Sequence, residues 1–340
     1  MGLPIDIGAV LEEAIDIKSA AETPIAVSVY VDESAPTDLA AHVRAAFLST
    51  NAQVRVSITY VSDNLGAVRS ADDMAVIVAG FGEKMGAFAA ELRAAGVPAM
   101  VVCTCPSLVS EMAKAFGEPV PEGDLVYPRV GEEGVSPEEP IALSDEARIS
   151  LDKRMGEWVC AVCRDKRLAF AMSFPFVRKP LALDAVNTTS LQNAGVGFVV
   201  FIPGADMPVM TLNQAKMLLQ IAAAYGCPMN MERAKELALV VGGAFALRSV
   251  ARQAVAVVPG LGWAIKAAIG YAGTMAMGRA AIEYFEAGGD VAGFATVVGK
   301  ARDRAVDLAE QAAHTPAGQA ALNKAKDAAN LAFDKIRARA

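Results

Sequence analysis

The sequence predicts an α/β N-terminal domain with a mostly parallel sheet, followed by an all-α domain built on a helical hairpin. Three observations lead to this fold class. Short runs rich in β-branched residues alternate with helical stretches over the first 150 residues. Two long apolar stretches rich in Ala and Gly follow later in the chain. The composition, 54% hydrophobic but 6% aromatic, favours closely approaching helices in that second part.

The first half alternates strands with helices. Strands are predicted at residues 25–31, 54–61, 74–80 and 99–103, with a short one near 125–127, and helices at 38–48, 83–95 and 107–116. The second strand, VRVSITYV, alternates polar and apolar residues as a half-exposed edge strand does. MAVIVAG and PAMVVC are continuous apolar runs, which is typical of central strands.

The turn after the first strand carries no phosphate-binding motif. It reads VDESAPTDLAAHV, without GxxxxGK[ST] or GxGxxG. Asp32, Glu33 and Asp38 stand where a phosphate would sit and would repel it. The later GFGEKMG loop contains an acid, Glu83, and is predicted to be a strand-to-helix turn. The sequence therefore predicts no nucleotide in the usual cleft.

Charge is distributed unevenly along the chain. Residues 1–150 hold 23 acids and 9 bases, and residues 151–340 hold 15 acids and 22 bases. The acidic first part argues against nucleic acid as a partner. The basic, apolar second part suits the anionic inner face of a membrane, although the two parts could instead attract each other. The acidic N-terminus lacks the pattern of a signal peptide, and five unpatterned cysteines suit a reducing cytoplasm.

No catalytic, cofactor-binding or metal-binding group is expected. Cys160 and Cys163 form a C-x-x-C near the end of a predicted helix, whereas a redox pair is expected at a helix start. Cys103 and Cys105 could complete a zinc site if the two regions met, but buried core thiols are the favoured interpretation. His42 and His314 are isolated, with no nucleophile or paired carboxylate in the sequence around them.

The segment from residue 144 to 180 connects the two parts. A helix capped by Ser144 or Asp145 is predicted first. Its predicted buried side comprises Ile149, Met155, Trp158, Val159 and Val162. The following RDKRLAFAMSFPFVRKP interleaves bases with Phe170, Phe174 and Phe176, which suits either a lipid headgroup layer or an amphipathic hinge.

A Pro- and Gly-rich corner, PGADMP, ends the next apolar run. Thr211 and Gln214 have the spacing of a capping box for a helix over 212–225. Asp206 is predicted to cap this helix start or to pair with an arginine of the later hairpin. The corner is therefore predicted to join two helices rather than to carry a general base.

The hairpin is the strongest feature of the second half. Helices over 236–258 and 262–284 are predicted, joined at Pro259, Gly260 and Gly262, and each is long enough to cross a hydrocarbon core. Small residues recur every four positions, as where helix backbones approach closely. Arg248, Arg252 and Lys266, with Arg279, oppose full spanning. A membrane-inserted or re-entrant hairpin and a soluble Ala-rich bundle both stay open.

These features predict four regions. They are a leading helix at 1–22, an α/β domain at 23–145, a helical domain at 146–290 with its apolar hairpin at 236–284, and amphipathic C-terminal helices at 291–340.

The helical region resembles the bacterial domain-of-unknown-function 697 family. The resemblance covers about residues 170–290 and rests on the QNA, PGADMP-x-x-TLNQ and PGLGW elements. It implies association with membranes and with Era-like GTPases, and it implies no reaction. Beside it, the first half looks like a Rossmann- or G-domain-like fold whose P-loop and base-reading motif are degenerate, which implies a pseudo-GTPase.

Function is predicted to be non-enzymatic. The chain is expected to act as an adaptor or regulator at the inner membrane, with its α/β domain in the cytoplasm. Expected partners are membrane lipid or another protein, including a GTPase, reached through the helical domain, and self-association stays open. The alternative is a soluble, cytoplasmic α/β protein or enzyme that binds a small molecule or nucleotide and carries a helical bundle.

Overall fold

The chain divides into two compact units. A computed structural model describes residues 6–62, 67–130, 139–199, 206–227 and 262–289. The α/β unit is Ser19–Leu181, and the helical unit combines Met1–Lys18 with Ala182–Ala340. In sequence, the α/β unit is thus inserted into the helical unit. The division after Leu181 falls later than the predicted boundary after residue 145, because the next two helices pack in the α/β unit.

The α/β unit contains a five-stranded parallel sheet. Its strands are β1 (Ile25–Asp32), β2 (Val54–Val61), β3 (Met74–Val78), β4 (Ala99–Val102) and β5 (Leu125–Val126). They lie in the order β2-β1-β3-β4-β5, and all four neighbouring pairs are parallel. This confirms the predicted parallel α/β sheet. The order is that of flavodoxin-like doubly wound sheets, in which ligands bind beyond the carboxyl ends of β1 and β3.

Burial separates the central strands from the edge strand. Every residue of β3 and β4 is buried, and seven of the eight residues of β1 are buried. Strand β2 alternates half-buried with exposed residues along most of its length and lies at the sheet edge. The polar–apolar alternation of VRVSITYV therefore predicted its position correctly.

Helices follow the strands and close the unit. They are α2 (Thr37–Ala46), α3 (Met85–Ala94), α4 (Pro106–Ala115), α5 (Asp145–Val162) and α6 (Arg167–Ser173). Ser144 caps α5 by accepting the Ala147 N–H, as predicted. Helix α5 buries Leu151, Met155, Trp158 and Val159. The predicted burial of Ile149 and Val162 is wrong, since they are 72% and 40% exposed.

The aromatic residues after α5 belong to the core of the α/β unit. Phe170 and Phe174 are fully buried. The Phe47 ring lies 5.1 Å from Phe174 and 5.0 Å from Phe176 between centroids. The headgroup interpretation of Phe170 and Phe174 is therefore wrong, because these rings are covered by protein.

The helical unit contains parts of α1 (Ile7–Ala21) and α7 (Pro175–Val199), together with α8 (Asp206–Ala224) and α9 (Gly262–Glu286). Glu13 of α1 accepts from Lys216 Nζ at 2.9 Å and Gln220 Nε2 at 2.8 Å, so the leading helix packs in this unit. Helix α9 matches the predicted second arm of the hairpin, whereas the first arm and the 291–340 helices lie outside the described residues. Among the described helices, none combines the length and the apolar character needed to cross a bilayer.

Helix α9 packs closely on α7. A Cβ added to Gly278 would meet Val186 at 2.3 Å, so only glycine fits this contact. The buried stripe of α9 runs through Met277, Ala281 and Phe285. Small residues of α9 were predicted to form the close helix contact. Three of them, Ala272, Ala276 and Ala280, are only half-buried.

Candidate functional site

The carboxyl ends of β1 and β3 are closed by the protein's own aspartate. Asp32, the last residue of β1, is 4% exposed. Its Oδ1 accepts from the N–H and the hydroxyl of Ser34, both at 2.9 Å. Its Oδ2 accepts from the N–H groups of Gly80 at 3.1 Å and Gly82 at 2.9 Å. The Asp32 carboxylate thus takes four donors where a doubly wound sheet holds its ligand.

The two glycines after β3 allow this close approach. A Cβ on Gly82 would come within 2.6 Å of the Asp32 carboxylate. A Cβ on Gly80 would meet the backbone of Ser34 at 2.4 Å. The Ser34 hydroxyl also accepts from the Phe81 N–H at 2.7 Å. GFG is therefore a strand-to-helix turn wrapped around Asp32, as predicted for this loop.

The hydrogen bonds to Asp32 affect whether this edge of the sheet can bind an anionic ligand. Convergent backbone N–H groups beside a strand end are what a nucleotide phosphate binds in other α/β proteins. Here these N–H groups already hold a carboxylate. The sequence placed Asp32, Glu33 and Asp38 at this edge as repelling charges. In the structure Asp32 fills the position itself, while Glu33 and Asp38 are exposed.

A cleft opens at the opposite, amino edge of the sheet. Its volume is about 390 Å³, and it lies between the starts of β1 and β2, the turn before β3, and Lys166. Asp73 is an acidic residue of the cleft lining. It accepts from the Ala26 N–H at 2.9 Å and from Lys166 Nζ at 2.7 Å. Lys166 also donates to the Pro24 carbonyl at 3.0 Å.

A second carboxylate lies beside this cleft. The side chain of Asp72 is 1% exposed, pairs with Arg55 at 2.6 Å and accepts a short hydrogen bond from Ser28. The Ser28 hydroxyl lies 2.8 Å from that of Ser57. The charged groups at this edge pair with one another. These pairs hold the starts of the strands in place without a bound ligand.

One long-range side-chain contact could not be found from sequence. His42 Nε2 on α2 lies 2.7 Å from Asp152 Oδ1 on α5, although 110 residues separate them. No local pattern marks such a pair. No metal-binding group of three His, Cys, Asp or Glu side chains occurs among the described residues.

All five cysteines lie in the described part of the chain, and none forms a disulfide. Cys103, Cys105 and Cys160 are buried, and Cys163 is half-buried. Burial raises the pKa of Cys103 to about 12, while a backbone hydrogen bond from Cys105 opposes the rise and the charge interaction with Cys105 adds a smaller increase. Burial, and then the nearby Asp73 charge, raises the pKa of Cys163 to about 12. Both groups are therefore neutral thiols near pH 7, which favours the core interpretation.

A buried polar cluster joins three helices of the helical unit. Asn193 Nδ2 on α7 donates to Thr274 Oγ1 on α9 at 3.0 Å and to the Met210 carbonyl on α8 at 3.3 Å. Gln214 Nε2 donates to the same Thr274 oxygen at 2.9 Å. Asn213 Nδ2 donates to Asn193 Oδ1 at 2.9 Å. This cluster brings the QNA and TLNQ elements together.

The cluster also fixes the role of two predicted site residues. Thr211 and Gln214 lie inside α8, which begins at Asp206, so the capping-box interpretation is wrong. Their spacing places both on the buried side of one helix, where Thr211 is 0% and Gln214 is 3% exposed. Gln214 Oε1 and the Ser190 hydroxyl have no hydrogen-bond partner in the part of the chain that the structure describes.

The other predicted site residues are less completely placed. Asp206 is the first residue of α8, and Gly262 is the first residue of α9, which also contains Lys266. Arg248, Arg252, Pro259 and Gly260 lie outside the described residues, as do residues 203–205 (PGA) directly before Asp206.

Comparison with known proteins finds no matching family model, no matching curated protein and no matching solved structure. The resemblance to the domain-of-unknown-function 697 family therefore stays a prediction.

Proposed function

We propose that the protein is a non-enzymatic adaptor or regulator that acts by contact at the cytoplasmic face of the inner membrane. In its more specific form, the proposal makes the α/β unit a pseudo-GTPase or a partner of a GTPase, as the family resemblance implies. Membrane lipid, reached through the helical unit, is the proposed primary partner.

One observation carries the proposal: the Asp32 carboxylate occupies the ring of N–H groups at the ends of β1 and β3. A nucleotide phosphate would have to displace a buried anion that accepts four hydrogen bonds. Displacement would cost several kcal/mol, because each charge-assisted bond contributes about 1.5–3 kcal/mol. This supports a role through contact rather than through nucleotide turnover at that edge.

The helical unit offers an apolar contact surface. Leu191 on α7, Val209 on α8 and Tyr271 on α9 are 65%, 46% and 39% exposed. Each lies within three residues, along the sequence, of a member of the buried polar cluster. The helical unit carries no excess charge, since residues 1–18 and 182–340 together hold 16 acids and 16 bases. The exposed apolar residues therefore carry the argument for a lipid surface.

Fractionation of cells tests the localisation. We expect the full-length protein in the high-speed membrane pellet, and washes with carbonate and with detergent then distinguish peripheral from integral attachment. Recovery of the protein in the high-speed supernatant would remove the membrane part of the proposal.

Vesicle flotation tests the contact surface. Leu191→Gln should weaken binding to vesicles of phosphatidylcholine and phosphatidylglycerol. Ile149→Gln is the matched control, because Ile149 is similarly exposed (72% against 65%) but lies on the α/β unit. Equal binding by the two variants would argue against this surface.

A second candidate function rests on the amino-edge cleft of about 390 Å³. Its size and its paired Asp73 and Lys166 suit a small polar molecule. In a thermal-shift screen of metabolites, a ligand that stabilises the wild type but not Lys166→Met would support this alternative. A ligand that stabilises both equally would not bind in this cleft.

A further inference from the structure

Two arginines lie against one tyrosine beyond the carboxyl end of β5. Strand β5 ends at Val126, and the half-buried Tyr127 packs against the core of the α/β unit. The guanidinium carbon of Arg154 is 5.0 Å from the Tyr127 ring centroid, and that of Arg129 is 5.7 Å from it. Both distances are those of cation–π contacts.

Helix α5 carries Arg154 and holds the main chain of Arg129. The Ser150 hydroxyl accepts from the Arg129 N–H at 2.9 Å and donates to the Arg129 carbonyl at 3.0 Å. Ser150 and Arg154 are four residues apart on α5 and so share one face of the helix. The main chain of Arg129 is thus held on the helix face that carries Arg154.

Among the residues that the structure describes, no carboxylate forms an ion pair with Arg129 or Arg154. Burial lowers the pKa of Arg154, and the positive charge of Arg129 lowers it further, while Tyr127 and Glu157 partly oppose the shift. Arg154 Nε is buried without a hydrogen-bond acceptor in the described residues. Glu157 itself pairs with Lys153 at 3.7 Å. Two like charges and an unused buried donor are costly unless an anion joins them.

We propose that Arg129 and Arg154 bind a phosphate group. Two guanidiniums supply two positive charges and several N–H donors in planar arrays, which match a doubly charged phosphate better than a single carboxylate. The site lies at β5, two strands or roughly 10 Å from β3, so it differs from the edge closed by Asp32.

Titration of the full-length protein with inorganic phosphate tests the site. Calorimetry and thermal shift at constant ionic strength should show saturable binding and a raised Tm, and acetate should bind more weakly. Arg154→Gln should weaken phosphate binding at least about tenfold, because it removes the buried donor and one charge. Arg129→Gln, at an exposed position, should do the same and serves if Arg154→Gln does not fold.

Arg44→Gln is the matched control. Arg44 also contacts a tyrosine, donating to Tyr60 Oη at 2.8 Å, and the substitution removes the same charge. Phosphate binding that all three variants retain, or a wild-type response no larger than that to chloride, would overturn the proposal.

A final arm identifies the source of the phosphate. Vesicles containing phosphatidic acid are compared with free phosphate. Vesicle binding that Arg154→Gln abolishes would assign a lipid headgroup. Phosphate binding that the vesicles do not compete with would assign a soluble phosphate compound.

Discussion

The Asp32 carboxylate accepts hydrogen bonds from backbone N–H groups that bind a phosphate in other α/β proteins. Its carboxylate satisfies the N–H groups of Ser34, Gly80 and Gly82. The sequence pattern places acids at this edge, in agreement with the structure, but it predicts that they repel a phosphate rather than that Asp32 occupies the phosphate position. The difference arises because Gly80 and Gly82, 48 and 50 residues later, supply the N–H groups that stabilise the charge.

Asp32→Ala should therefore lower the free energy of unfolding by about 3 kcal/mol, because it leaves several buried N–H groups unpaired. Added formate should restore part of this loss by occupying the vacated position. Chemical denaturation with and without formate measures both effects. Glu33→Ala, at the exposed neighbouring residue, should change little, and an equal loss in both variants would show that Asp32 has no special role.

The raised pKa values of Cys103 and Cys163 predict that the stability of the protein falls at alkaline pH. Their folded-state pKa of about 12 lies above the ordinary 9.0, so folding favours the neutral thiol. The stability contribution is complete below pH 9 and is lost as the pH rises from 9 towards 12. Denaturation curves should show this fall, with a shallower slope in Cys163→Ser.

Alkylation at pH 8 gives a second readout of the same thiols. A shift from 9.0 to about 12 lowers the thiolate fraction of Cys163 about a thousandfold. Iodoacetamide should therefore label Cys163 slowly in the native protein and fast after denaturation. Rapid native labelling of Cys163 would contradict the raised pKa.

At the scale of elements, local patterns predicted strands well and buried helix faces poorly. The runs that form β1 to β4 are continuous or alternating apolar segments, and such patterns depend on nearby residues alone. The exposure of Ile149 on α5 depends on which neighbours cover the helix. Thr211 and Gln214 were misassigned because a three-residue spacing fits both a capping box and one face of a helix.

The contact of α9 with α7 depends on a single glycine. Gly278→Ala should cost about 1–3 kcal/mol, because its Cβ would meet the stiff Val186 side chain at 2.3 Å. Val186→Ala in the same chain should recover part of this cost, and a double-mutant cycle by chemical denaturation measures the coupling.

Gly195→Ala is the control for this contact. Gly195 is an exposed position of α7 with no atom within 4 Å of the added Cβ, so the substitution should stabilise the protein by about 0.5–1 kcal/mol. Similar effects of Gly195→Ala and Gly278→Ala would indicate that α9 does not pack closely on α7.

At the scale of the whole molecule, the chain forms an α/β unit inserted in a helical unit. The sequence predicted both classes of structure, because strand and helix periodicities differ along the chain. It did not predict that the leading helix joins the later helices. That association depends on Glu13 meeting Lys216 and Gln220, about 200 residues away in sequence.

The closed edge of the sheet is the central claim, and a nucleotide titration tests it most directly. Magnesium–GTP and magnesium–ATP are titrated calorimetrically into full-length Arg154→Gln, in which the arginine pair no longer contributes. The account predicts no saturable heat at micromolar nucleotide, because the Asp32 carboxylate already holds the N–H groups after β1 and β3. Micromolar binding by this variant, lost when Gly82→Ala alters the turn, would contradict it.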